Sequence, residues 1–150
     1  MIAIGCDHAG CEMKKYIIDT LSEKGFEFVD MGCDGSPCDY PVIAEAVCKE
    51  VLSNNCEKGI LICGTGIGMS IAANKVKGIR CAHVSSIDEA KLARLHNNAN
   101  VIALSYKNNI NDIYSNNVAE ILSLGPSTPI ELIIPNPITK SIQAPSIFIV

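Results

Sequence analysis

With 150 residues, a formal charge of −4 and 48% hydrophobic residues, the chain has the size of one domain and ample material for a core. The mild acidity, the lack of Trp and an aromatic content of 5% argue against a nucleic-acid protein, which would carry a basic stripe and stacking surfaces. No apolar run reaches membrane-spanning length, and the sequence starts in the strand-like Ile2-Ala3-Ile4 without a signal-like leader, so a cytoplasmic protein is expected.

Strand-like and helical patterns alternate along the chain. Met1 to Cys6 reads as a buried strand, with Asp7-His8-Ala9-Gly10 as the turn after it. Residues 12–24 read as a helix, with Met13, Tyr16, Ile17 and Leu21 at helical spacing and Gly25 as the stop. Phe26 to Met31 is the second strand, followed by a Gly-, Ser- and Pro-containing loop to Asp39. Tyr40-Pro41 opens a helix whose stripe is Ile43, Val47, Val51 and Leu52. Ile60 to Cys63 is the third strand and Gly78 to Val84 the fourth. Ser86 and Asp88 suit a helix start, and the helix runs to His96. Val101 to Leu104 is the fifth strand and residues 110–124 a last helix. This alternation predicts a parallel sheet with helices on both faces, an α/β Rossmann-like sandwich, with ligands beyond the C-terminal strand ends. Residues 1–125 form the expected domain. Residues 126–150 change character, with five prolines, and suit an added edge strand or an arm on a partner subunit.

The eight cysteines contain no C-x-x-C pair, and with no sign of secretion they are expected to be reduced thiols. Cys33 and Cys38 come nearest to a zinc knuckle, but no second pair follows, so no metal site is expected.

The third strand runs into Cys63-Gly64-Thr65-Gly66-Ile67-Gly68-Met69-Ser70, three glycines in five residues and then a helix-forming segment. Such a loop points backbone N–H groups at one spot, where the helix dipole adds positive charge. That spot suits an anion or a developing oxyanion. A thiol at a helix N-terminus has its thiolate favoured. On pattern alone a lone Cys after a strand is more often a packed small hydrophobe than a base. The spacing fits neither the dinucleotide fingerprint nor a Walker loop.

Taken together, Gly5-Cys6-Asp7-His8-Ala9-Gly10, Asp39-Tyr40-Pro41, residues 59–75, Gly78-Ile79-Arg80 and His96-Asn97-Asn98-Ala99-Asn100-Val101 resemble the ribose-5-phosphate isomerase type B family, which also holds galactose-6-phosphate isomerase subunits. The resemblance spans about residues 1–104. It implies an aldose–ketose isomerase of the non-oxidative pentose phosphate pathway, without cofactor or metal. It also implies a homodimer, or a tetramer built from it, with active sites between subunits. In that family's terms Cys63 resembles the base that moves a proton between C2 and C1 through an enediolate. Thr65 and His96 resemble the ring-opening pair. Asp7, His8, Tyr40 and Asn97 would line the sugar pocket. The backbone of Gly64, Gly66, Ile67, Gly68, Met69 and Ser70 would hold the enediolate oxygens. The chemistry agrees: a base and fixed oxyanion donors are what proton transfer beside a carbonyl needs. Without the resemblance, His96 would read as a helix C-terminal histidine complementing the dipole, Asp7 as a cap, and His83 as a structural strand residue.

The sequence departs from the family in its phosphate grip. Where the family carries an arginine after the fifth strand, this chain has Lys107, and the later Gly-Gly-Arg-His-type segment is absent. Lys107, with His8, Arg94 or Lys140, is expected to take the phosphate, as a point charge where Arg would bind bidentately. Two rival readings stay open at this level: an isomerase of six-carbon sugar phosphates, or a weakly active or non-catalytic sugar-phosphate-binding subunit. A nucleotide-binding domain would use Asp30, at the end of the second strand, for ribose hydroxyls.

Overall fold

The computed structural model of the chain describes residues 1–107; the expected last helix, the tail and Lys140 lie outside them. The elements are β1 (Ile2–Cys6), α1 (Cys11–Ser22), β2 (Phe28–Asp30), α2 (Tyr40–Leu52), β3 (Lys58–Cys63), α3 (Ile67–Asn74), β4 (Cys81–His83), α4 (Ile87–Asn97) and β5 (Val101–Ser105). The strands form one parallel sheet in the order β2-β1-β3-β5-β4.

Strands covered on both faces read as continuous apolar runs, and Ile60, Leu61 and Ile62 are each 0% exposed. The pleat sorts them. Ile60 and Ile62 join Ile2, Ile4 and Leu104 under α1 and α4. Leu61 and Cys63 join Ala3, Val101 and Ala103 under α2 and α3. The result is the three-layer α/β sandwich, and β1 and β3 are neighbours whose chains leave in opposite directions across the sheet. The crevice beyond their C-terminal ends is the topological switch point, where open α/β sheets bind ligands.

Local signals place the helix ends. Ser86 caps α4 by accepting from the Glu89 N–H at 3.2 Å, and Glu89 reaches back to the Ser85 N–H at 2.7 Å. Pro41 stands in the first turn of α2. Two strands are shorter than the apolar pattern suggests. Gly78 adopts φ +94°, and Asn100 claims the chain beside it, accepting from the Arg80 N–H at 2.8 Å and donating to the Gly78 carbonyl at 3.0 Å. Ladder pairing of β4 therefore starts only at Cys81. At β2, the turn after Asp30 begins with Gly32 at φ +91°, and pairing is confined to Phe28–Asp30. Asn74 clamps α3 to β4, donating to the Cys81 carbonyl at 2.7 Å and accepting its N–H at 2.9 Å. Among the described residues no helix is long and apolar enough to cross a membrane.

Candidate active site

Cys63 ends β3 with its side chain against the α2–α3 layer, 6% exposed. The chain must then reverse into α3 within three residues. It does so through Gly66, the helix N-cap, at φ +77°. That conformation turns the Gly66 N–H back onto the Cys63 Sγ, 3.2 Å away. A Cβ at Gly66 would lie 2.6 Å from His83 Cδ2 and 3.1 Å from the Leu104 carbonyl carbon, so glycine is demanded by both backbone and space. The exposed Thr65 accepts from the Ile67 N–H at 3.3 Å through Oγ1. Ser70 donates from Oγ to the Ile67 carbonyl at 2.8 Å, which stiffens the first helical turn. The amides of Gly68 and Met69 belong to that same first turn, whose N–H groups have no intrahelical acceptor and point out of the helix end. From β5, Ser105 Oγ donates to the Gly64 carbonyl at 2.8 Å, holding the loop from behind. The turn thus holds a buried sulfur, an N–H on it, and a short row of amides at the positive end of a helix. An anionic sulfur and an oxyanion are both stabilised by such donors.

Across the switch-point crevice, Asp7 and His8 follow β1. Asp7 Oδ1 accepts from the Ala9 and Gly10 N–H groups at 3.0 and 3.1 Å, and the Asp7 N–H is held by the Ile62 carbonyl at 3.0 Å. The carboxylate therefore shapes its own turn rather than capping α1, whose N-cap is Gly10. His8 is exposed. Tyr40 opens α2 and lays its ring on Gly68: a Cβ there would stand 3.1 Å from ring carbons Cε2 and Cζ. Lys107 is exposed two residues past β5, its N–H held by Ser105 Oγ at 3.2 Å. Because Cys63 pairs in register with Ser105, Lys107 stands at the same sheet edge as the thiol.

His96 and Asn97 are elsewhere. They end α4, at the N-terminal edge of the sheet, where Arg80 Nε donates to the Asn97 carbonyl and the Gly59 N–H to the Asn100 carbonyl at 2.9 Å. From Gly59 to Cys63 the strand rises about 13 Å, so one chain does not bring His96 to its own Cys63. Both side chains are exposed. Arg94 belongs to the same edge, where it donates to Asn98 Oδ1 at 2.6 Å and the Ala99 carbonyl at 3.0 Å. It is thus committed to closing the α4–β5 turn, away from the crevice. Besides His8, the histidine at the Cys63 end is His83. The apolar strand pattern read it as structural, but it is the last residue of β4, exposed, with its imidazole against Gly66. Its place one step before a strand end was the only sequence signal.

Asp30 is occupied: its Oδ1 takes the Lys14 ammonium at 2.7 Å and the Gly32 N–H at 2.9 Å. It is not presented to a ribose. Burial alone would lower the Lys14 ammonium, but the Asp30 hydrogen bond and charge, with the Cys6 and Cys11 thiols, outweigh it and hold the lysine up. For thiols burial acts in the opposite sense, because their charged form is the deprotonated one. Burial pushes Cys48 up to about 11, with Glu45 adding to it, and also raises Cys81.

A profile of the ribose/galactose isomerase family matches residues 2–127. The ribose-5-phosphate isomerase B of Escherichia coli is 48% identical over 103 residues, 68% of this chain and 69% of that protein. Among solved structures, a ribose 5-phosphate isomerase of Thermotoga maritima is similar with a TM-score of 0.79 and 40% identity, covering 88% of this chain and 93% of that one. The ribose-5-phosphate isomerase B of Mycoplasma genitalium, solved with bound ribulose-5-phosphate, is similar with a TM-score of 0.74 and 38% identity, covering 87% and 88%.

Proposed function

The chain belongs to the ribose/galactose isomerase family, and from that premise we propose that it interconverts ribose 5-phosphate and ribulose 5-phosphate with Cys63 as the base. The observation that carries this is the Gly66 N–H on the buried Cys63 Sγ at the N-terminus of α3. Sulfur charge at that point meets an amide dipole and the positive helix end.

In the open-chain sugar the Cys63 thiolate takes the C2 proton. The electron pair left behind becomes the C1–C2 double bond of an enediolate. Its oxygens face the Gly64–Ser70 backbone, of which the Gly68 and Met69 amides are the free donors of the first turn. Transfer of the O2 hydroxyl proton to O1 and return of the carbon proton to C1 complete the ketose. Asp7, His8 and Tyr40 border the same crevice, and Lys107 is the cation at that edge for the phosphate.

Ring opening falls to Thr65 with His96, and here the geometry bears on assembly. His96 and Asn97 lie a strand length away from Cys63 in their own chain, while an exposed apolar face begins right beside the catalytic turn. Ile67 and Ile71, one turn apart on α3, are 51% and 56% exposed, and Val42 at the start of α2 is 63% exposed. A second copy seated on that face would cover it and bring its own His96 and Asn97 to the Cys63 crevice. The reading is therefore a homodimer with shared sites.

The test is turnover of ribose 5-phosphate by wild type and Cys63→Ala. General-base removal predicts a fall in kcat of about 10²–10⁴ in a protein that still shows a cooperative unfolding transition. Activity that survives in Cys63→Ala would overturn the assignment of the base. Mixing inactive Cys63→Ala with inactive His96→Ala should restore about a quarter of the wild-type activity, because random pairing then regenerates one complete site in half the dimers. No recovery would remove the shared site.

A further inference from the structure

A pair of thiols beside the sugar-binding loops has no part in the isomerisation. Cys33 and Cys38 begin and end the exposed turn Asp34-Gly35-Ser36-Pro37 between β2 and α2, and their sulfurs lie 2.8 Å apart. Three left-handed residues, Gly32 at +91°, Cys33 at +70° and Gly35 at +98°, fold the turn back so that its ends meet. A disulfide bond is about 2.05 Å long, so less than ~1 Å of closure separates the pair from a bond. Both are half-buried, at the base of a solvent-exposed turn.

The pair is also a joint between two substrate loops. Cys38 is followed at once by Asp39, the α2 N-cap, and Tyr40, whose ring rests on Gly68. On its other side the His8 backbone amide faces the Cys38 sulfur. Cys11 donates from Sγ to the Cys33 carbonyl at 3.2 Å, and its sulfur also lies 3.7 Å from the Asp7 carbonyl. No set of three His, Cys, Asp or Glu among the described residues is placed to hold a metal ion.

We propose that Cys33 and Cys38 form a reversible disulfide, a modification site at which a low-molecular-weight disulfide weakens substrate binding. The Cys33 thiolate attacks one sulfur of R–S–S–R, forming a mixed disulfide and releasing R–S⁻. Cys38 then loses its proton to solvent and attacks the Cys33 sulfur, expelling the second R–S⁻; both leaving thiolates take up protons. Two protein thiols lose two electrons, and R–S–S–R becomes two R–SH. Closing the bond draws Cys38 from the His8 amide and pulls on the start of α2. The expected loss is that of one neutral hydrogen bond to the sugar loops, a rise in KM of about fivefold with kcat unchanged.

The full chain treated with oxidised glutathione, alkylated and digested should give a peptide joining Cys33 to Cys38, lighter by two hydrogens and restored by dithiothreitol. Cys33→Ser and Cys38→Ser should instead carry a glutathione adduct on the remaining sulfur. Adducts on single sulfurs in wild type, pairing of either thiol with Cys11, or stoichiometric zinc in the reduced protein would each overturn the site. The kinetic arm rests on the isomerase reading. Oxidised wild type should show the raised KM, and the double variant Cys33→Ser/Cys38→Ser, with no sulfur left in the turn, should keep its KM on oxidation. A disulfide with unaltered KM would overturn the coupling to binding. The mass readout needs no turnover, so it decides the disulfide even if the isomerase reading fails.

Discussion

Cys63 and Cys48 face the same α2–α3 layer, and both are buried, at 6% and 0% exposure. Cys48 sits in mid-helix with apolar neighbours, and burial holds its proton on, at about 11. Cys63 ends a strand and receives the Gly66 N–H at the start of a helix. The same side chain in the same layer is thus a packing element in one place and a candidate base in the other. Burial is common to both; the donated hydrogen bond and the helix terminus belong to Cys63.

The contrast is broken most directly by taking away the donor while leaving the sulfur. Gly66→Ala strains the φ of +77° and drives a methyl into His83 and the Leu104 backbone. The turn must open, and kcat should fall by about 10²–10³, the scale of losing an oxyanion-type donor. Adding His83→Ala relieves the 2.6 Å clash but neither the φ nor the 3.1 Å approach to Leu104, so kcat should stay within about tenfold of the single variant. Full recovery in the double variant would show that His83, rather than the backbone, sets the turn.

The other half of the contrast is read in alkali. A thiol whose folded value is raised contributes stability that is fully present below its unfolded value, about 8.5, and is lost as pH climbs toward the folded value. For Cys48 that window runs from about 8.5 to about 11. Urea denaturation of wild type should therefore weaken steadily above pH 8.5. Cys48→Ala should weaken less steeply, by about 1 kcal/mol per pH unit, since the sulfhydryl proton no longer counts. Parallel slopes would mean that Cys48 meets a donor the folded layer does not show.

Much of this was legible in the sequence. An apolar run breaking into Gly-Thr-Gly-Ile-Gly announces strand, turn and helix because the glycines end the strand and allow the left-handed turn taken at Gly66, and β3 and α3 are where that pattern puts them. The start of β4 was not legible, because its pairing is cut short by a side chain distant in sequence, Asn100 at Gly78 and Arg80, and β2 stops where Gly32 turns at φ +91°. Nor could a linear pattern show that His96 ends a helix at the sheet edge opposite Cys63. Helices of a parallel sheet run against the strands, so the end of β3 and the end of α4 lie at opposite edges of the sheet. His83 at the turn was missed, and Cys33 and Cys38 were read only as an incomplete zinc knuckle, because their contacts depend on left-handed residues, Gly66 and Cys33, and such conformations leave little mark on composition.

The smallest effect sharpens the comparison from the side of a cation. Lys14 is buried as Cys48 is, with 9% of its side chain exposed, yet it keeps its charge. The reason is partners: Asp30 Oδ1 at 2.7 Å and the carbonyls of Cys33 and Gly32 at 3.2 and 3.3 Å. Lys14→Met keeps the stem volume and removes the charge. Asp30 is 46% exposed and can turn to water, so the loss should be about 1 kcal/mol rather than that of a stranded buried ion. The sign in alkali follows from a raised lysine: its contribution is complete below the unfolded value of about 10.4 and fades only above it. Wild type and Lys14→Met should therefore differ by a constant amount between pH 7 and 10 in urea denaturation and converge above. If they converged already below pH 9, the Asp30 pairing would not be what keeps the charge on Lys14.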